Sequence, residues 1–198
     1  MLYISTTSVY GDCQGEWVDE DRPLRPGTAR ARRRLDAENA WRAWSDASGG
    51  ELVILRVPGI YGPGRLPLER LRERLPLVRE EDSPWTNRVH AADLARICVE
   101  AMARGLSGEV YHASDGHPST MTDYFNRIAD LAGLDRPPSL PMAEAAEHLS
   151  AGTLSYMRES RRVSNRKLRE ELGIELLYPD LAAGLPACFA EQAEEPTG

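Results

Sequence analysis

The chain has 198 residues, a formal net charge of −7, 41% hydrophobic residues and 28% charged ones. That length suits one domain with a real core, or one domain and a small lobe, of ordinary globular composition. The acidic balance excludes general affinity for nucleic acid or anionic membranes, so any anion site must be local.

No apolar run approaches the roughly 20 residues of a membrane span. The opening "MLYISTTSVYG" lacks the basic and long apolar regions of a signal peptide. Cys13, Cys98 and Cys188 are far apart, with no Cys-x-x-Cys, which reads as free thiols in a reducing cytoplasm. "LYIS" predicts a buried strand that runs into hydroxyl residues and a turn at Gly11. A chain that opens on a core strand reads as cut at its N-terminus. After a Gly/Pro/Asp loop, Thr28 is the predicted N-cap of a helix from about Ala29 to Ala47, stopped by "SGG". Ala31, Leu35, Glu38, Trp41 and Arg42 fall near one stripe of it, and Arg30, Arg33 and Arg34 on another side.

"ELVILRV" is a near-continuous apolar run, as expected of a parallel strand covered on both faces. A Gly/Pro loop and a short amphipathic helix in "LPLERLRERLP" follow. "NRVHAADLARICVEAMARG" predicts a short strand and then a helix from Ala91 to Arg104. "GEVYHAS" predicts another strand, and "TMTDYFNRIADLAGL" a helix capped by Thr120 or Thr122. Then come a Pro-rich stretch with a short helix, a helix ending at Gly173, a last helix in "YPDLAAGLPACFAE" and the fraying tail "QAEEPTG". Strands alternate with helices, which makes the fold α/β with a parallel sheet.

Three stretches carry candidate chemistry. "LVILRVPGIYGPG" resembles a phosphate loop only in outline. Its glycines are spaced G-x-x-G-x-G, and Pro63 removes an amide donor from the middle. It reads instead as a rigid turn at the carboxyl end of a strand, where open α/β sheets bind ligands. The hydroxyls of "STTS" could satisfy backbone groups or hold a substrate oxygen. His112 and His117, which flank Asp115, and His90 at a strand–helix junction read as structural, with no second cluster to complete a metal site. The arginine-rich "RARRR" has two open readings. It is a solvated helix face, with Asp36 and Glu38 pairing with Arg32, Arg33 or Arg34, or it occupies a site where other chemistry is usual. A nucleic-acid patch is opposed by the net charge and by the acidic runs 19–21 and 80–82.

Taken in order, "YISTTSVYGD", "VDEDRPLRP", "LRVPGIYGPGR", "NRVHAADLA", "GEVYHASD" and "YPDLAAGL" resemble the extended short-chain dehydrogenase/reductases, and more narrowly the NAD-dependent epimerase/dehydratase proteins. The resemblance runs from Leu2 to about Leu185. It implies a doubly wound, Rossmann-like sheet with a small C-terminal substrate lobe. Residues 1–115 would belong to the dinucleotide-binding domain, and residues 116–198 mainly to the lobe and C-terminal helices. The glycine-rich first βαβ unit of such a domain would precede Met1. The cofactor implied is NAD or NADP. The substrate would be a nucleotide-sugar or a similar small carbonyl or alcohol, and the resemblance also allows a homodimer.

The family's Ser/Thr falls on Thr6, and its Tyr-x-x-x-Lys pair falls on Arg30 and Arg34. These three are the candidate catalytic residues. Thr6, Arg34, Pro58 and Gly59 are expected on the cofactor, and Arg65 and His90 on the substrate. Arginine does not deprotonate in proteins, so Arg30 cannot cycle as acid and base as the family's Tyr does. The chain therefore resembles the atypical branch of the family. A binding protein without turnover is the alternative that this substitution supports.

Overall fold

The apolar run Val53–Val57 is the middle strand of a parallel sheet, and all five of its residues are buried. In the computed structural model, which describes the backbone of residues 1–194 and side chains as far as residue 190, the elements in chain order are as follows. The first part of the chain forms β1 (Leu2–Thr6), a 3-10 turn (Thr7–Tyr10), β2 (Trp17–Val18), α1 (Ala29–Ser48), β3 (Val53–Val57), β4 (Gly59–Tyr61) and α2 (Leu68–Arg72). Next come β5 (Leu77–Val78), β6 (Trp85–Thr86), β7 (Arg88–His90), α3 (Ala91–Arg104), β8 (Val110–His112), β9 (Ser119–Thr120) and α4 (Met121–Leu131). The remainder forms β10 (Ser139–Leu140), α5 (Met142–His148), α6 (Ala151–Met157), β11 (Arg162–Val163), α7 (Arg166–Leu172) and α8 (Leu181–Glu194). The tail expected to fray runs from Gln192 into residues 195–198, which lie outside the described residues.

The main sheet has the order β1-β3-β8, with both pairings parallel. Side chains alternate across a strand. Val53, Leu55 and Val57 therefore join Ile97 and Ala101 of α3 and Leu168 and Leu172 of α7 in one core cluster. Ile54 and Arg56 face the opposite way, toward α1. Helices on both faces of a parallel sheet make the doubly wound architecture that the sequence pattern implied.

Local signals explain the ends of the elements. The Thr28 side chain accepts from Ala31 N, and Gly49 ends α1 in the left-handed conformation. Thr120 caps α4 by accepting from Asp123 N, and Gly173 ends α7 with φ 59°. Gly11 is required by its surroundings. Its φ is 69°, and a Cβ there would lie 2.1 Å from the Arg25 carbonyl oxygen. The turn after β1 therefore packs directly on the loop that leads into α1.

Two-residue strand pairs carry the rest of the chain back to this frame. β11 pairs with β2, β10 with β5 and β6 with β9, while β4 pairs with β7. Sequence periodicity does not show such short pairings, nor α6. A second core joins Tyr61 and Leu71 to Tyr124 and Ile128 of α4 and Leu181 and Leu185 of α8. Gly184 in α8 lies against the buried Tyr61 ring, and a Cβ there would fall 2.0 Å from the Tyr61 hydroxyl oxygen. Gly184→Ala should cost about 1–3 kcal/mol through overpacking, despite the helix preference for Ala. A lowered urea midpoint with an unchanged slope is the expected reading.

Trp41 and Trp44 meet edge to face with ring centres 5.8 Å apart and are half-buried and exposed respectively. One expectation for α1 needs correction. Glu38 does not pair with the arginine tract; it is completely buried and faces the sheet.

Candidate functional site

Thr6 ends β1, and Pro58 and Gly59 follow β3, so all three fall at the carboxyl ends of parallel strands. The Thr6 backbone is extended, and its Oγ1 accepts from Ser8 N at 3.3 Å and shares a hydrogen bond with Ser8 Oγ at 2.9 Å. Thr6, Pro58 and Gly59 line a cleft of about 260 Å³, and Arg30 enters it from the first turn of α1. Four of the residues expected from sequence therefore converge. The Gly59 backbone is closely packed behind, since a Cβ there would meet Arg88 side-chain atoms and the Asn87 carbonyl oxygen, each at 3.2 Å.

The other expected residues lie elsewhere. Arg34 donates to the Ile4 carbonyl at 3.0 Å, and its guanidinium lies 5.7 Å from the Tyr3 ring centre, so it is aimed along the outside of β1. Arg65 is exposed in the loop after β4, away from the cleft lining. His90 is 1% exposed. Its Nδ1 accepts from Ala92 N at 3.2 Å at the start of α3, and its ring lies 4.0 Å from that of Tyr178 and 5.1 Å from that of Tyr61. His90 thus orders the strand–helix junction and lines neither wall of the cleft.

The far wall was not visible in the sequence. It comes from Trp85, Thr86 and Asn87, from Tyr156 in the last turn of α6, and from Glu159 and Arg161 in the segment that follows it. That segment is tightly held. Asn87 Nδ2 donates to the Arg161 carbonyl at 3.0 Å, and Asn87 Oδ1 accepts from Val163 N at 2.7 Å. The Ser160 carbonyl accepts from Cys13 N at 3.0 Å and Gly15 N at 2.9 Å. Arg161 is 5% exposed and donates to the Gly11 carbonyl at 2.6 Å and to Glu159 Oε2 at 2.9 Å. The Arg162 guanidinium lies between the indoles of Trp17 and Trp85, 5.5 and 5.4 Å from their ring centres. Residues some 70 to 150 positions apart in sequence are thus fixed around Thr6.

A buried polar network holds the floor behind the cleft. Glu38 Oε1 accepts from Ser5 Oγ and from Arg56 Nε at 3.2 Å, and Oε2 accepts from Arg56 at 2.9 Å and from Arg42 at 3.2 Å. Burial pushes the Glu38 carboxyl up, but the bonds from Arg56 and Ser5 and the charges of Arg56 and Arg42 hold it below the usual range. Arg56 also donates to the Tyr10 hydroxyl at 2.6 Å, which leaves that hydroxyl to donate to His112 Nε2 at 2.6 Å. His112 Nδ1–H then donates to the Ser164 carbonyl at 2.9 Å. Burial pushes this histidine down to about 3, so it is neutral at ordinary pH, in keeping with its structural reading. Among the described residues no group of three His, Cys, Asp or Glu side chains is placed to hold a metal ion.

Residues 1–114 match the NAD dependent epimerase/dehydratase family. The chain belongs to that family. It is 27% identical to Protein YeeZ of Escherichia coli over 182 residues, which cover 91% of this chain and 59% of YeeZ. A functionally unknown conserved protein from Silicibacter pomeroyi is 38% identical, with a TM-score of 0.88, covering 98% of this chain and 66% of that one. The dTDP-glucose 4,6-dehydratase of Bacillus anthracis, solved in complex with NAD, shares the fold with a TM-score of 0.77 at 17% identity, over 98% of this chain and 61% of that one. The chain thus spans less than two thirds of each of these proteins. Within the part it does span, Thr6, Pro58, Gly59 and Arg30 face one cleft. No helix among the described residues is long and apolar enough to cross a membrane.

Proposed function

We propose that the chain carries the substrate end of an NAD- or NADP-dependent epimerase/dehydratase-like oxidoreductase, acting on a nucleotide-sugar or a similar small alcohol or carbonyl. One observation supports this most: Thr6, Pro58, Gly59 and Arg30 line a single cleft at the carboxyl ends of β1 and β3, where doubly wound sheets take their ligands. The residues present fit the nicotinamide end of a dinucleotide. The backbone of Pro58 and Gly59 forms one wall without an intervening side chain, and Thr6 offers a hydroxyl beside it. They do not supply the family's ribose contact, because Arg34 is engaged with Ile4 outside the cleft. A bound nicotinamide would supply hydride transfer. The chain's own contribution would be to hold the reacting oxygen on Thr6 Oγ1 and to place the fixed positive charge of Arg30 beside it.

The second reading, a dinucleotide- or metabolite-binding protein without turnover, is favoured by Arg30 itself. It stands where the resemblance places a proton-transferring Tyr, and an arginine side chain is a donor only, with no acceptor. Equilibrium binding of NADH to the full chain, read by nicotinamide fluorescence, tests the shared part of both readings. Saturable binding that Thr6→Ala weakens several-fold is the expected result, and no saturable binding overturns them together. Conversion of dTDP-glucose in the presence of NAD, followed by chromatography of the nucleotide-sugar, then selects the enzyme reading, and binding without it selects the second.

A further inference from the structure

One side chain in the lining of the cleft around Thr6 is free to give and take a proton. Arg30, Tyr156, Glu159 and Arg161 are the titratable side chains there. Arginine does not lose its proton in proteins, which sets Arg30 and Arg161 aside. Glu159 is already committed. Its side chain is 9% exposed, and Arg161 holds Oε2 at 2.9 Å. Its Oε1 is buried on the side of Gly27, where a Cβ would meet it at 3.5 Å. The hydroxyls of Thr6, Thr7 and Ser8 can hydrogen-bond a reacting oxygen, but such groups need a neighbouring base before they release a proton. Tyr156 is left.

Tyr156 stands in the last turn of α6, and that helix is anchored at both ends. Ser150 caps its start by accepting from Thr153 N at 3.1 Å, and Met157 is buried in a cluster with Val78 and Ala145. Tyr156 is half-buried, and no described residue hydrogen-bonds its hydroxyl. Its neighbours give its direction. Burial pushes the Tyr124 phenol up, the Arg88 charge draws it down, and Cys188 and Tyr156 add to the rise, so the phenols of Tyr124 and Tyr156 lie within electrostatic reach of each other. The Arg88 guanidinium lies 4.2 Å from the Tyr124 ring centre, and Arg88 itself backs Gly59. The Tyr156 phenol thus stands on the Gly59 side of the cleft.

We propose that Tyr156 is the acid–base residue of this cleft, and that the far wall supplies the phenol that the first turn of α1, with Arg30, lacks. This rests on the reading of the cleft as the substrate end of an oxidoreductase, and it adds a catalytic residue to that reading. In the alcohol-to-carbonyl direction the carbinol C–H bond breaks, and its hydride passes to the nicotinamide of NAD, which is reduced. The O–H bond breaks with it. Its proton passes to the Tyr156 phenolate oxygen, and its electron pair closes the carbonyl. The reverse direction returns the proton from the phenol. Thr6 Oγ1 holds the same oxygen, and the fixed charge of Arg30 stabilises negative charge as it grows there.

The test uses the full chain, with NADH and dTDP-glucose as probes. Nitration of tyrosines by tetranitromethane, mapped by peptide mass spectrometry, reads the cleft without turnover. Tyr156 should be nitrated in the free protein and several-fold more slowly with both probes bound. Tyr3, beside Trp41 and outside the cleft, should react alike in both cases. Tyr156→Phe keeps the ring, so its circular dichroism and its affinity for NADH should match the parent. It should convert dTDP-glucose in the presence of NAD about 10²–10⁴-fold more slowly, the usual worth of general acid–base catalysis. Its residual rate should be flat in pH where that of the parent rises, a change that a merely structural role would not produce. Nitration of Tyr156 that the probes do not slow, or a Tyr156→Phe rate and pH profile like those of the parent, would overturn the proposal and leave the oxidoreductase reading standing. A parent that fails to bind NADH, or that binds it and converts no dTDP-glucose, overturns that reading and the role of Tyr156 with it.

Discussion

Glu38→Ala should destabilise the protein by about 3–5 kcal/mol, the range for breaking a buried ion pair from one side. The carboxylate is completely buried and Arg56 is 2% exposed. Removing Glu38 strips Arg56 of its only carboxylate among the described residues and leaves a guanidinium inside the protein. Natural domains are stable by only about 5–15 kcal/mol, so this loss is a large share of the total. The damage should also spread. Ser5 loses its acceptor at the residue before Thr6, and Arg56 is the donor that orders Tyr10 toward His112. Urea unfolding followed by circular dichroism measures the loss. A double-mutant cycle with Arg56→Met supplies the control, because removing both charges leaves no ion stranded. The double variant should be markedly more stable than the sum of the single losses predicts. If the two losses simply add, the pair is not coupled as the hydrogen bonds imply.

The same network shows what the sequence could reveal. The run Val53–Val57 was legible as a strand buried on both faces because almost every residue in it is apolar. The single exception, Arg56, gave no sign that it points at Glu38, which lies 18 positions earlier. Thr28, Thr120 and Gly173 marked element ends because capping is local chemistry. Thr6, Pro58 and Gly59 line one cleft because they stand at neighbouring strand ends, where ligand residues gather in this architecture. Tyr156, Glu159 and Arg161 were missed for the opposite reason. They reach the cleft through long-range bonds from Asn87, Gly11 and Cys13 that no local pattern encodes. His90 was placed on the substrate by its position in a motif, whereas burial between Tyr61 and Tyr178 puts it in the packing of the α3 junction.

Asp115→Asn should have the opposite sign from Glu38→Ala and stabilise the protein at neutral pH. Asp115 is 3% exposed. Its Oδ1 accepts from His117 N at 2.9 Å, and its Oδ2 is buried with no partner. Burial pushes this carboxyl from 3.8 up to about 7, against the pull of the His117 amide and the charges of His117 and Arg88, and Asp180 adds to the rise. The folded state therefore holds the proton more tightly than the unfolded chain. The contribution of this group to stability is full below about pH 4 and is lost as pH rises through about 7. A gap of about three pH units corresponds to at most roughly 4 kcal/mol. Asparagine keeps the acceptor for His117 N and carries no charge to desolvate, although its amide enters the space of Oδ2 without a ready partner. The net gain expected at pH 8 is about 1–3 kcal/mol. It should shrink steadily toward zero or reverse by pH 4, where Asp115 is protonated and already neutral. Unfolding free energies of the parent and of Asp115→Asn, measured at intervals from pH 4 to pH 8, give this difference directly and cancel the titration of every other group. A difference that stays flat across the window would mean that Oδ2 is solvated or paired in the folded protein, and that the charge of Asp115 has no bearing on its stability.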